Sequence, residues 1–511
     1  MTTGIQPGPE TKRPGGPMGP AYRLLTVALL ALVTIIAFEA MAISTAMPAV
    51  ARDLDAVRSY GLAFSFMLTA ELLGIVLAGV WADRSGPLPS LFAGQLLMVA
   101  GSAMAGLAPT FSVLLAGRLV AGLGAGLIVV ALYVVIGRAY PDALRPQVFS
   151  WISAAWVLPS LIGPPVAGWL TSTWSWRWVF LIVLAPIAVT FAVVSNQRDH
   201  ITGGAGAHEA LPSDETVAAR QEALAEPGGA LPAPEGAQAA GCPPAAEAAP
   251  AGGATGDRPA DHRRLALLGL GVAISAGAMQ WGSTQLSSAQ ALPVALAVLG
   301  LIGIAVTAPQ LVPAGSLVMA RGLPAVMMSR FLLTAAFNGA VTFIPLMLVN
   351  ERQLSLTTAG IMLSVGSLGW SLGSFAQGHR LMSDRRSELV TAGGASLAIG
   401  ILLLAAIAEL GWPDYLVGLA TALAGLGMGL AMSSTSVLSL ALSAVKDHGR
   451  TSSSLQVADV LGSVMGISVA GAVFAAMHNP DGSDIRVFEL IWLGLAAVAA
   501  LAMVSGQRTR T

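Results

Sequence analysis

The stretch "LLTVALLALVTIIAFEAMAISTAMPAV", Leu24 to Val50, decides the fold: 27 residues hold one ionisable side chain, Glu39. A helix needs about 20 apolar residues to cross a hydrocarbon core about 30 Å thick, so this run is a membrane span. Comparable runs recur as far as Val504 in a chain of 511 residues that is 55% hydrophobic and 10% charged, against about 25% charged in soluble domains. Recurring runs of this length make a polytopic helical membrane protein. An all-α polytopic membrane protein follows.

Residues 1–22 are a polar tail without an apolar core of their own, so they do not read as a secretory signal peptide. Residues 23–194 divide into six helices: Leu24 to Val50, Tyr60 to Trp81, Leu88 to Ala108, Phe111 to Ile136, Gln147 to Leu170 and Trp178 to Val194. Residues 195–263 are Ala, Gly, Pro and Glu with few large apolar groups, a composition that cannot offset ordering entropy, and they read as a disordered loop. Residues 264–310 add two spans, Leu265 to Trp281 and Ala291 to Ala308. Residues 321–506 hold six more: Val326 to Val349, Thr357 to Gln377, Leu389 to Leu410, Tyr415 to Leu440, Ser452 to Met477 and Val487 to Val504. The expectation is about fourteen spans: two six-helix bundles in a pseudo-two-fold relation with two additional helices between them.

Arginine and lysine orient the chain, because positive residues of short loops stay in the cytoplasm. Lys12, Arg13 and Arg23, then Arg84, Arg138 and Arg145, then Arg263, Arg264, Arg321, Arg380, Arg385, Arg386, Lys446, Arg450, Arg508 and Arg510 fall on one side. A multi-pass protein of the cell (inner, plasma) membrane with both termini and the long loop cytoplasmic is expected. Trp174, Trp176 and Trp178 then cluster at the outer boundary, where indoles are favoured.

Several function classes drop out. A net charge of −1 offers no basic footprint for nucleic acid. One cysteine, Cys242, and six histidines that all fall in loops or at helix ends leave no intramembrane metal cage and no nucleophile with its base. No phosphate-binding loop is present, and the glycines Gly122, Gly124 and Gly126 lie inside an apolar helix with no preceding strand, so close helix packing explains them. No cofactor, no metal and no enzymatic activity are expected. Energy for any work should come from an ion gradient.

Charged groups inside the spans are then the candidate site, since an intramembrane acid costs about 2.5 to 3.5 kcal/mol to insert and is functional by default. Glu39 lies about 22 Å along its helix, and Glu71 about 15 Å from the cytoplasmic end of an antiparallel one, at a similar depth. Arg118 sits about 10 Å from the outer end of the fourth helix, near the same level. Asp459, in "SSSLQVADVLGSVMG", is about 12 Å into its helix. Glu39, Glu71, Arg118 and Asp459 form the candidate proton-coupling set, and Glu39, Glu71, Gln456 and Asn338 the candidate substrate cavity. The structural alternatives are a neutral acid that ties two helices together, a snorkelling Arg118, and a water-lined helix around Asp459. Gly163-Pro164-Pro165 loses backbone donors and should kink or locally unwind its helix, as a hinge or as plain architecture.

Four stretches in order resemble the major facilitator superfamily. "GVWADRSG", Gly79 to Gly86, stands where the family signature follows the second helix; "AGRLVAGLGAGL" places Arg118 and the glycines of a second motif; "PSLIGPPVAGWL" carries Gly163, Pro164 and Gly168 of the antiporter motif; and "FEAMAISTAMP" is similar to an acid-then-ALP pattern of the fourteen-helix drug/proton antiporter branch, with Glu39 for the usual Asp. The signature departs at Pro87-Leu88-Pro89, where basic residues are usual, the second-half echo "GSFAQGHRLMSDRRSE" is degenerate, and Glu71 replaces a common tyrosine. The resemblance implies a gating role for Gly79, Asp83, Arg84, Gly86, Gly163, Pro164 and Gly168, with Asp83 meeting a helix N-terminus as a latch between the halves. A topogenic Arg84 beside a solvated Asp83 is the plain alternative.

The resulting expectation is a monomeric, proton-coupled multidrug-type antiporter that exports small amphipathic or lipophilic compounds by alternating access, with a small-molecule substrate, protons and membrane lipids as its partners. An exporter of an endogenous metabolite or lipid fits the same residues. A non-transporting sensor or scaffold that uses the long loop is the rival from another class.

Overall fold

The computed structural model describes residues 16–20, 22–141, 144–198, 259–285, 291–377, 385–444 and 448–510. Most of the expected tail 1–22 and loop 195–263, Cys242, His200, His208, His379 and the side chains of His262 and Asp83 lie outside the described residues.

The chain folds into helices α1 (Arg23–Asp53), α2 (Leu62–Ser85), α3 (Pro87–Gly106), α4 (Phe111–Ala139), α5 (Arg145–Thr173), α6 (Arg177–Leu181), α7 (Leu184–Asn196), α8 (Pro259–Thr284), α9 (Ala291–Thr307), α10 (Leu323–Asn350), α11 (Leu356–Gln377), α12 (Arg386–Leu410), α13 (Leu416–Ala441), α14 (His448–Met477) and α15 (Ile485–Gln507). Among the described residues thirteen segments are long and apolar enough to cross a membrane. The 26-residue α8 is long enough as well, which brings the number to fourteen.

Local chemistry explains the breaks. The expected sixth span is split into α6 and α7 because Pro186, in the first turn of α7, has no N–H for the carbonyl of Ile182, and the chain turns at Ile182 and Val183. The turn from α2 to α3 needs Gly86, whose φ is 77°, and Pro87 follows as the first residue of α3, where a missing N–H costs nothing. The departure from the basic signature at Pro87 is thus a helix start. By contrast α5 runs unbroken through Pro159, Pro164 and Pro165. The expected local unwinding at Gly163-Pro164-Pro165 is absent, because neighbouring helices and the membrane hold the remaining backbone bonds around the prolines.

Packing repeats in the two halves. α1 lies on α5, α2 on α4 and α3 on α4; in the second half α10 lies on α14, α11 on α13 and α12 on α13. Across the junction α5 meets α11 and α14 meets α2. Each contact maps onto another when α1 is matched to α10, α2 to α11, and so on, which is the pseudo-two-fold relation. α8 and α9 pack on each other, and α8 lies against both α2 and α14, at one junction of the halves.

The start of α1, the α2–α3 turn and the end of α15 lie at one face, here the terminus face. At the opposite face a single apolar cluster joins the halves: Ile43, Met47, Tyr60 and Phe64 pack with Phe343, Met347 and Phe474. The Tyr60 hydroxyl donates to the Thr342 carbonyl at 3.0 Å. A Cβ on Gly61 would lie 3.2 Å from the Cα of Gly471, so α2 and α14 touch backbone to backbone there. Nearer the terminus face the apolar clusters are separate, with Leu29, Leu91, Ile128 and Val148 in one half and Val326, Met327 and Leu455 in the other. The halves are therefore sealed at the opposite face.

Candidate functional site

Glycines of α4 set the N-terminal half of the site. A Cβ on Gly122 would overlap the Met67 carbonyl, and one on Gly126 the Glu71 carbonyl. Only glycine lets α2 lie this close to α4, the close packing expected from the sequence. That approach holds Glu71 beside the segment that carries Arg118.

Arg118 Nη1 donates to Glu39 Oε1 at 3.2 Å, and its Nε donates to the Ala63 carbonyl at 3.1 Å. Ser102 of α3 donates to the same Glu39 oxygen at 3.4 Å. The Glu39 side chain is fully buried and that of Arg118 is 3% exposed. Glu39 Oε2 is buried with no hydrogen-bond partner among the described residues. The pair is thus an internal tie between α1, α3 and α4, short by one donor. Glu39, expected in the substrate cavity, does not line the space between the halves: its face of α1 turns toward α3 and α4.

The C-terminal half carries a second pair. Arg330 Nη2 of α10 meets Asp459 Oδ2 of α14 at 3.1 Å, while Nη1 donates to the Met432 carbonyl at 2.8 Å and to Thr435 Oγ1 at 3.2 Å. The Asp459 side chain is 22% exposed, so this pair borders open space where the first does not. Asn338 donates to Ser463 Oγ at 2.9 Å, and Ser463 donates in turn to the Asp459 carbonyl. Gln456 is half-buried one turn before Asp459.

Glu71 lies half-buried on α2, at the junction, and feels the charges of Asp459 from the other half and of Arg118 and Glu39 from its own. Two arginines against three carboxylates leave one negative charge uncompensated when all five groups are ionised.

The structure brings together Glu39, Glu71, Arg118 and Asp459. Arg330 is the residue that sequence reasoning missed, although a lone cation inside the run Val326 to Val349 carries the same signal as Glu39 in its own. Of the expected gating residues, a Cβ on Gly163 would lie 3.6 and 3.7 Å from Phe38 and Met41 of α1, and one on Gly168 would come within 2.6 Å of the Thr357 nitrogen, so Gly168 seats α5 on α11. The Pro164 carbonyl lies against Gly360 of α11. Gly79 has open space around it, and Arg84 is exposed. Trp174 and Trp178 are exposed, but Trp176 is 5% exposed, and its indole N–H donates to Asp53 Oδ2 at 2.8 Å. Among the described residues no cluster of three metal-ligating side chains occurs.

Residues 29–217 match the family model described as Major Facilitator Superfamily. The chain is 28% identical over 195 residues to the multidrug efflux pump SdrM of Staphylococcus aureus, covering 38% of this chain and 41% of that one. It is 24% identical over 492 residues to the multidrug transporter protein MdtP of Bacillus subtilis, covering 94% and 81%. The alignment with SdrM thus spans less than half of that pump. Among solved structures, a peptide transporter POT in complex with sulfate superposes with a TM-score of 0.59 at 15% identity over 96% of each chain, which speaks for the fold. The paired half-bundles repeat the fold of that solved transporter, and over residues 29–217 the chain is similar to the major facilitator superfamily.

Proposed function

We propose that the protein is a proton-coupled antiporter that exports small amphipathic or lipophilic compounds, cationic ones among them, across the cell membrane. The observation that carries this reading is the unbalanced charge set, in which Glu71 meets the fields of both halves. In a medium of low dielectric an uncompensated carboxylate is unfavourable, and either one proton or one bound monocation balances it. Proton and cation then compete for one charge, which is the condition for exchange. The likeness to a multidrug efflux pump and to a multidrug transporter supports a drug-like cargo.

In this reading the terminus face is cytoplasmic, and the sealed state in hand opens toward the cytoplasm to receive substrate. Protonation of Glu71 from outside, with Asp459 as its neighbour from the other half and Glu39 with Arg118 as the fixed counter-pair behind it, neutralises the junction and lets the halves rock about the α5–α11 and α2–α14 contacts. Gly168, Pro164 and Gly163 line the first of these contacts and its support on α1, and Asp83 with Arg84 close the cytoplasmic end of α2. Membrane lipid surrounds the transporter, which acts as a monomer.

The test is transport in proteoliposomes with an imposed pH gradient and a panel of cationic and neutral lipophilic compounds. Gradient-driven uptake that is lost in Glu71→Gln, with binding of the neutral compounds kept and that of the cationic ones weakened, is the expected result. Uptake indifferent to the gradient in the wild type would sink the proposal.

A further inference from the structure

An open groove of about 580 Å³ at the terminus face, between the α9–α10 connection and the end of α15, is lined by Val318, Met319, Arg321, Gln507, Arg508 and Arg510. We propose that it binds the phosphate headgroup of an anionic phospholipid, phosphatidylglycerol in kind. This does not rest on the transport reading.

The connection is shaped by three left-handed residues, Gly315 (φ 87°), Met319 (φ 51°) and Gly322 (φ 83°). The Gly322 N–H donates to the Arg508 carbonyl at 3.0 Å, which ties the connection to the end of α15 and makes the groove a fixed feature. Three guanidinium groups line it. Glu388 neutralises Arg510 at 2.7 Å. Arg321 and Arg508 are exposed, and among the described residues neither has a carboxylate in ion-pair range. The groove therefore keeps two uncompensated cations in planar forks that suit phosphate oxygens, with the exposed Gln507 amide beside them.

A soluble phosphate would be served by the arginines alone. Here Leu317 and Val318, 65% and 71% exposed, stand in the same connection. Large apolar side chains next to arginines without a carboxylate partner, at the boundary of a membrane protein, suit a molecule with acyl chains on one side and an anion on the other. The connection offers both.

Native mass spectrometry of the detergent-purified full chain tests this, with phosphatidylglycerol, phosphatidylcholine and inorganic phosphate as separate probes. Phosphatidylglycerol should bind at least tenfold more tightly than phosphatidylcholine. Because each basic residue near an anionic headgroup is worth roughly fivefold, Arg321→Gln with Arg508→Gln should lower phosphatidylglycerol affinity at least tenfold and leave phosphatidylcholine unchanged. Arg321→Lys with Arg508→Lys should keep most of the affinity, which separates loss of charge from loss of fold. Equal binding of the two lipids, or inorganic phosphate bound as tightly as phosphatidylglycerol, overturns the proposal. So does an equal loss from Arg52→Gln with Arg486→Gln at the opposite face, which would make the attraction diffuse.

Discussion

Glu39 and Arg118 meet at 3.2 Å with both side chains sealed from solvent. Their attraction offsets the cost of removing two charges from water only while both are present. Breaking a buried pair from one side costs about 3 to 5 kcal/mol, whereas removing both partners is often nearly neutral. Arg118→Leu should therefore lower the thermal midpoint of the purified protein sharply, and Glu39→Gln combined with Arg118→Leu should recover more than half of the loss. A double variant as unstable as the single one would mean that the pair contributes nothing beyond the arginine's other contact, the Ala63 carbonyl.

The glycine face of α4 offers a second check. Gly126→Val would drive a side chain into the Glu71 carbonyl, and Gly122→Val into that of Met67. Each should push α2 outward, displace Glu71 and reduce transport at least tenfold. Gly79→Val, with nothing within 4 Å, should be tolerated in folding and expression. Comparable yields and rates for all three would contradict the close approach.

Much of this was legible in the sequence, for identifiable reasons. Span number and order follow from apolar run length, which the membrane imposes, and the glycine repeat of α4 marks a close contact whichever partner lies opposite. Depth counting also placed Glu39, Glu71 and Arg118 at one level. Which way a carboxylate faces was not legible: α1 is apolar on nearly every side, so no periodicity distinguishes the bundle interior from the junction, and Glu39 turned inward. Arg330 was visible in principle as a cation in an apolar run, but its partner lies 129 residues away. Trp176 looked like its exposed neighbours because only the fold brings Asp53 to its indole.

Gly61 and Gly471 hold α2 and α14 in backbone contact at the opposite face. A larger residue cannot be accommodated without separating the helices. Gly471→Leu should therefore disfavour the sealed state. Spin labels placed on the α1–α2 and α14–α15 connections should report a population shift to longer distances. An unchanged distance distribution would show that the seal depends on the aromatic cluster alone.

Among the described residues the extra helix α8 is tied to α2 by a polar bond, Gln280 Nε2 to Thr69 Oγ1 at 2.9 Å, with Gln280 only 1% exposed. On its other side α8 packs with α14, where Val272, Ala276 and Met279 share an apolar cluster with Val457, Leu461 and Val464 as well as with Leu72 of α2. A helix anchored to both halves resists their relative motion unless one contact slides, and the apolar contact slides more readily than a directional hydrogen bond. The bond to Thr69 should thus keep α8 with the N-terminal half while α14 moves past it. Interhelical hydrogen bonds in membranes contribute about 0.6 to 2 kcal/mol. Gln280→Leu should therefore cost only that much in stability, read as a small drop in thermal midpoint. Because α8 keeps to α2 in this account, a cross-link between cysteines that replace Thr69 and Gln280 should form readily in either access state and leave transport intact. A cross-link there that arrests transport would show instead that α8 travels with the C-terminal half.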